Sequence, residues 1–161
     1  MNVQPHQQPL YFLLAVVSIG LFTIALGPGL FHQPDMFGYS WQHRFFDIVC
    51  HQMHDRSYSL HGASLAVCSR CTGIYGGFAL AVLLLPVVSR HFTVINSFFL
   101  KLIVASIVVN LLDVLGNHIG IWTNTLHSRF LLGAWFGVAT ALFLTTEFFK
   151  QTHKTEEDYG K

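Results

Sequence analysis

The sequence is short of charge. Only 11% of its 161 residues are Asp, Glu, Lys or Arg, against about a quarter in ordinary soluble domains. That scarcity excludes a soluble domain with a solvated, charged surface. Net charge is +1 at pH 7, so the chain lacks the basic footprint of nucleic-acid binders and no nucleic-acid partner is expected. Cysteine is also scarce. There are three, and an odd number rules out a pure disulfide framework. Residues 1–9 contain no Lys or Arg, so the first apolar run has no basic n-region of the kind a cleaved signal peptide carries. No internal repeat or low-complexity segment stands out.

What remains is strongly apolar. Hydrophobic residues make up 52% of the chain, with 15 phenylalanines, and the mean hydropathy is positive. This is the composition of a membrane protein with short loops, and the length suits one domain. Four runs are candidates for spans, at about 10–30, 72–88, 94–119 and 130–148. The first is long enough to cross roughly 30 Å of hydrocarbon at about 1.5 Å per residue and is expected to end at Gly27-Pro28-Gly29. The second is expected to stop near Pro86. The third carries Lys101 near one end, able to snorkel to the headgroups. Gly73-xxx-Gly77 in the second run and Gly133-xxx-Gly137 in the fourth are small-xxx-small pairs that allow close helix contact. The expected fold is therefore all-α: one domain over 1–149, a bundle of four transmembrane helices, then a frayed polar tail over 150–161.

The longest polar region is the loop over 32–71. Within it, Tyr39 to Val49 can form a short amphipathic helix with Trp41, Phe45 and Val49 about four apart. Tyr39 and Trp41 suit the membrane interface. Four spans put both termini on one face, and the loops 32–70 and 117–129 together on the other. The basic residues split five to four between the faces: Arg90, Lys101, Lys150, Lys154 and Lys161 against Arg44, Arg56, Arg70 and Arg129. If the four arginines serve a site, they are not topology signals, and the positive-inside rule then makes the termini cytoplasmic.

All three cysteines fall between residues 50 and 71. Cys68-x-x-Cys71 is a spacing at which two thiolates converge on one centre. Cys50 stands 17 residues before Cys68, comparable to the gap between the halves of many zinc sites. His51 and His54 are the candidates for a fourth ligand. His54 shares a helical face with Cys50 if residues 50–55 are helical; His51 can reach if they are extended or turned. A Cys3His zinc site over Cys50, His51, Cys68 and Cys71 is the leading reading. An iron–sulfur cluster fits less well, because the common ferredoxin spacings are absent. A c-type haem is disfavoured because Thr72, not His, follows Cys71. A redox Cys68–Cys71 pair with Cys50 as shuttle partner stays open, since a helix N-terminus at Cys71 lowers a thiol's pKa. The bland alternative is three buried cysteines without function.

A second polar group lies in the third run. Ser106, Asn110, Asp113 and Asn117 are spaced four, three and four apart, so they line one helical face. An Asp inside a span is costly and is expected to face the bundle interior with a partner. Arg129 opens the fourth run on the same side, and an Asp113–Arg129 pair is the natural expectation. Such a pair either fixes the packing of the last two spans or belongs to a pocket beside the cysteines. The pocket would use Gln52, Arg56, Arg70, Asn110, Asp113, Asn117, Asn124 and Arg129, and arginines there suit a phosphate or carboxylate.

These residues resemble a family of small predicted membrane proteins from bacteria and archaea, a domain of unknown function. Its pattern is matched by Cys50-His51-Gln52, Arg56-Ser57, Cys68-Ser69-Arg70-Cys71-Thr72-Gly73-Ile74-Tyr75, Asp113, and Asn124 with Arg129 and Gly133. The likeness covers most of residues 45–137. It implies a multi-helix membrane fold in a prokaryotic plasma membrane, and it brings no activity. His54 stands where the family more often has other residues, so the resemblance favours His51.

Three functions follow as expectations. A zinc clip could hold the loop while the pocket binds a lipid-like or small anionic ligand, a second copy or a partner membrane subunit. A metal-dependent enzyme could act on a lipid-like substrate, with Asp113 and His51 as catalytic candidates. A thiol–disulfide or quinone-linked oxidoreductase could use Cys68–Cys71.

Overall fold

The computed structural model describes residues 8–30, 41–60, 62–91 and 96–159, with side chains described outside Pro28, 87–91, 96–97 and 145–159. Tyr39, His61 and the expected start of the third span at 94 lie outside them. Five helices appear in order: α1 (Gln8–Leu30), α2 (Trp41–Phe46), α3 (Ser69–His91), α4 (Asn96–Ile119) and α5 (Leu126–Tyr159). Between α2 and α3 lie a 3-10 turn, His54–Arg56, and a two-stranded antiparallel ribbon of β1 (Ser59–Leu60) and β2 (Ala63–Ser64). Among the described residues, four stretches are long and apolar enough to cross a membrane: Gln8–Gly27, Ser69–Pro86, Phe98–Ile119 and Leu126–Leu144.

Helix α3 is the centre of the molecule, packed between α1 and α5, while α4 packs on α5. The α3–α5 contact is made through glycine. A Cβ on Gly73 or Gly77 would strike the backbone of Phe130 and Ala134, and one on Gly133 or Gly137 would strike the backbone of Arg70, Ile74 and Phe78. The two glycine pairs therefore face each other. Lipid offers no hydrophobic drive for helix association, so close backbone approach supplies the van der Waals contact. Because Arg70 meets Gly133 and Ile74 meets Gly137, α3 and α5 run parallel. Their N-termini lie side by side at the cysteine end.

Several helix ends differ from those the sequence suggests. Helix α1 is not among them: it ends at Leu30, directly after Gly27-Pro28-Gly29. The glycines there are close-approach sites: a Cβ on Gly27 would sit 2.9 Å from Gln42 Nε2, and one on Gly29 would sit 2.8 Å from Leu60 Cβ. The Ala25 carbonyl accepts from Ala66 N–H at 3.2 Å, docking the loop on this end. Helix α3 continues through Pro86 to His91. Proline lacks the N–H that would bond the carbonyl four residues back, which belongs to Val82. The Tyr11 hydroxyl donates to that carbonyl at 3.0 Å, replacing the lost bond from a neighbouring helix. Helix α5 starts at Leu126, and Thr125 caps it by accepting from Ser128 N–H at 3.1 Å. The same helix carries the polar tail to Tyr159, a stretch without Gly or Pro to break it. Helix α4 ends on Gly120, at φ +81°, with Ile121 N–H bonded to Gly116 O at 2.9 Å, the closure that a left-handed glycine permits.

The short α2 turns the unexpected face inward. Gln42 and Phe46 are buried, while Trp41, Phe45 and Val49 are each more than half exposed. Phe46 enters a core with Ala25, Cys50, Ala66 and Val67. The exposed aromatic face suits the headgroup region.

Candidate metal and anion site

Each cysteine is placed by a different local device. Cys50 follows α2, and its N–H bonds Phe46 O at 2.9 Å, so the last helical bond fixes its direction. Cys68 precedes α3, with its carbonyl accepting from Thr72 N–H at 2.9 Å and Thr72 Oγ1 at 3.1 Å. Cys71 stands in the first turn of α3. The three sulfurs converge, all within 4.8 Å of one another, and all three thiols are free. Ligands at about 2.3 Å on tetrahedral arms would stand about 3.8 Å apart, so the cluster is within a small adjustment of that geometry. Cys68 N–H also donates to Cys50 Sγ at 3.2 Å. The Cys50 and Cys71 thiols hydrogen-bond the Cys68 sulfur and hold its pKa far below the ordinary cysteine range. Cys50 is buried on an apolar core that Tyr75 and Ile24 complete.

Neither His51 nor His54 belongs to this cluster. Both are exposed. The chain turns sharply after His51, because Gln52 adopts φ +47°, a region that few non-glycine residues occupy. The Gln52 side chain secures that turn by donating to His43 O at 2.6 Å. His54 instead begins the 3-10 turn.

A cavity of about 310 Å³ opens beside the sulfurs. The cysteines form part of its lining, together with His51, Gln52, Arg56, Arg70, Asn117 and Arg129. Val49, Met53 and Val114 add apolar wall, a contribution that sequence reasoning missed. Val49 and Met53 come from the loop after α2 and Val114 from α4, and only the fold brings them to one wall.

Asp113 is buried and pairs with Arg70, not with Arg129. The reason is register: Arg70 is the second residue of α3, level with the Asp113 turn of α4. Arg129 lies one turn into α5 and makes no ion pair or side-chain hydrogen bond among the described residues. Asn124 Nδ2 donates to the same Asp113 oxygen at 2.7 Å. Asn117 Oδ1 in turn accepts from Asn124 N–H at 3.1 Å. Asn110 lies deeper and bonds the carbonyls of Ser106 and Leu132. Asn110, Asp113 and Asn124 therefore form a supporting layer and do not line the cavity. Four polar atoms in this region are buried without a partner among the described residues: the donors Arg70 Nε and Arg129 Nε, the Ser69 hydroxyl and the acceptor Gln52 Oε1. An unsatisfied buried polar group costs about 1–3 kcal/mol.

A four-span helical bundle with loop, thiols and arginines gathered at one end is a small integral membrane protein. The chain belongs to the family of predicted membrane proteins DUF2085, whose model matches residues 50–143. It is similar to the uncharacterized protein MJ1492 of Methanocaldococcus jannaschii, with 25% identity over 154 residues, covering 89% of this chain and 96% of that one. It is also 40% identical over 58 residues to an uncharacterized protein of Methanothermobacter thermautotrophicus, covering 34% of this chain and 52% of that one. No solved structure matches the chain.

Proposed function

We propose that this membrane protein holds one zinc ion at the interface through Cys50, Cys68 and Cys71, and that the adjoining pocket binds a lipid-like or small anionic ligand. The observation that carries the reading is the convergence of three free sulfurs from two separate segments. Zinc is favoured over an iron–sulfur cluster, because three thiolates with one nitrogen or oxygen ligand make a common zinc donor set. His51 is the candidate for the fourth position. It follows Cys50 in sequence and lines the same cavity as the three cysteines. Zinc would clip the loop after α2 to the start of α3, making one wall of the pocket. Four protein ligands would leave no open position for direct metal catalysis; a ligand from the pocket in place of His51 would leave the enzymatic reading available, with His51 acting on a lipid-like substrate and Asp113 reduced to positioning Arg70. The proposed setting is a prokaryotic plasma membrane with both termini cytoplasmic.

A second reading has its own support. The Cys68 and Cys71 thiols are free and their sulfurs lie within 4.8 Å of each other, a placement that a membrane thiol–disulfide or quinone-linked oxidoreductase using Cys68–Cys71 would need. Metal analysis of the purified protein beside Cys68→Ser separates the two. About one zinc per chain, lost in the variant, is the expected result. A metal-free protein with a titratable Cys68–Cys71 disulfide would overturn the zinc reading and favour thiol redox chemistry.

A further inference from the structure

We infer that the pocket ligand is a terminal phosphate, a phosphate monoester or free phosphate, gripped by Arg129 and Arg70 at the paired N-termini of α5 and α3. The inference deepens the pocket reading above, and rests on it for the thiolate charge: zinc neutralises most of the negative charge that the cysteines would otherwise bring.

The argument starts from the glycine contact. It makes α3 and α5 parallel neighbours, so the positive ends of two helix dipoles meet at the cavity. Helix N-termini are ready anion sites, but here the side chains also ask for one. Arg129 lines the cavity, yet its guanidinium has no partner among the described residues, and its Nε–H is shut off from solvent. Arg70 is steered by Asp113 on one nitrogen and has its own Nε–H unmet. Arg56 lines the same cavity. Arg56 and Arg70 repel Arg129 electrostatically, while Asp113 and the Cys68 sulfur attract it.

Donor count selects among anions. Asp113 cancels Arg70. Asp55 stands 3.6 Å from Arg56, but both side chains are exposed, so this pair screens weakly. Three thiolates on one zinc carry about −1, so about one positive charge remains at the cavity, and any anion is attracted. A terminal phosphate offers three acceptor oxygens to the guanidinium donors; a carboxylate or a phosphodiester offers only two. The planar guanidinium fork matches phosphate oxygens. The apolar wall of Val49, Met53 and Val114 gives the rest of a lipid a surface. The cavity is also several times larger than one phosphate group, since a water-sized share of liquid is about 30 Å³. A small turn of the Arg129 side chain on binding would meet its stranded Nε–H.

The test uses full-length protein in detergent, titrated calorimetrically with dioctanoyl phosphatidic acid, dioctanoyl phosphatidylglycerol and inorganic phosphate, with zinc assayed in each sample. Phosphatidic acid is expected to bind at least tenfold more tightly than phosphatidylglycerol. Arg129→Gln should weaken it at least thirtyfold while keeping its zinc and its helical circular dichroism. Arg129→Lys should fall between, retaining charge without the fork. Binding of phosphatidic acid without inorganic phosphate assigns a lipid source; equal binding of both assigns a free phosphate group. Equal affinity for phosphatidylglycerol, or unchanged affinity in folded Arg129→Gln, overturns the proposal. Zinc present with no phosphate bound overturns this proposal alone. Phosphatidic acid bound without zinc overturns the metal reading and leaves the phosphate site standing.

Discussion

Removing the Asp113 carboxylate should unfold much of what holds α3, α4 and the 117–129 loop in register. Asp113 accepts from Arg70 and, at 2.7 Å, from Asn124. Its side chain is 11% exposed and that of Arg70 is 23% exposed. Breaking a buried pair from one side costs about 3–5 kcal/mol. The partial exposure of Arg70 places its share near the lower end, and the orphaned Asn124 amide adds about 1 kcal/mol. Asp113→Ala is therefore expected to cost about 4 kcal/mol. Arg70→Ala should cost about 3 kcal/mol, because Asn124 still serves the stranded carboxylate. The double variant should cost little more than Asp113→Ala alone, a coupling of about 3 kcal/mol. Reversible unfolding in mixed micelles or bicelles measures all three. The cycle between Asp113 and Arg129 is the control and should show a coupling at least about 1 kcal/mol smaller. Additive losses in the Asp113–Arg70 cycle, or equal coupling to Arg129, would refute the pairing.

The glycine seam predicts an opposite pair of outcomes. Gly137→Ala should lose about 1–3 kcal/mol, because its Cβ would meet backbone atoms of α3 that cannot swing aside; Gly20→Ala, with nothing within 4 Å of its Cβ, should be neutral or gain up to about 1 kcal/mol. Both are read by the same unfolding assay. Tyr11→Phe should cost about 1 kcal/mol in the natural chain and close to nothing in a Pro86→Ala background, where the Val82 carbonyl regains a helical donor. An undiminished cost in that background would deny Tyr11 its role as substitute donor. Acidification of the zinc-loaded protein should release the metal, since protons compete for the thiolates; a dye that reports free zinc follows it.

Much of the molecule can be read from composition and period. The four apolar runs specify four spans because hydrocarbon accepts only backbone that bonds itself. The polar face Ser106-Asn110-Asp113-Asn117 follows from helical period alone, and Ser106 and Asp113 are indeed buried. Helix ends were less legible. The proline at 86 looks like a stop, yet α3 continues to His91, whereas α1 ends at Leu30, directly after Gly-Pro-Gly. A partner distant in sequence, Tyr11 for the Val82 carbonyl, supplies what the local chain of α3 lacks. The inward face of α2 was hidden for a similar reason: aromatic spacing marks an apolar stripe, but not whether lipid or protein covers it.

At the site itself, the sequence by itself determined the inventory: three thiols in one loop, four arginines on one face and one intramembrane carboxylate. Spacing specifies which residues are near each other along one helix or turn, and topology which end of the bundle they reach. The tertiary structure decided the pairing. Asp113 had two arginines within topological reach, and only the rotation of α3 against α4 selects Arg70. The glycine seam fixes α3 against α5 along one line, and Arg129 stands beside the cavity without an ion pair among the described residues. The sulfurs likewise converge only because Phe46 and Cys50 enter a shared core against α1 and α3. A pair or a cluster depends on the relative placement of separate elements, which is fixed by packing across the whole bundle and not by any local run of residues.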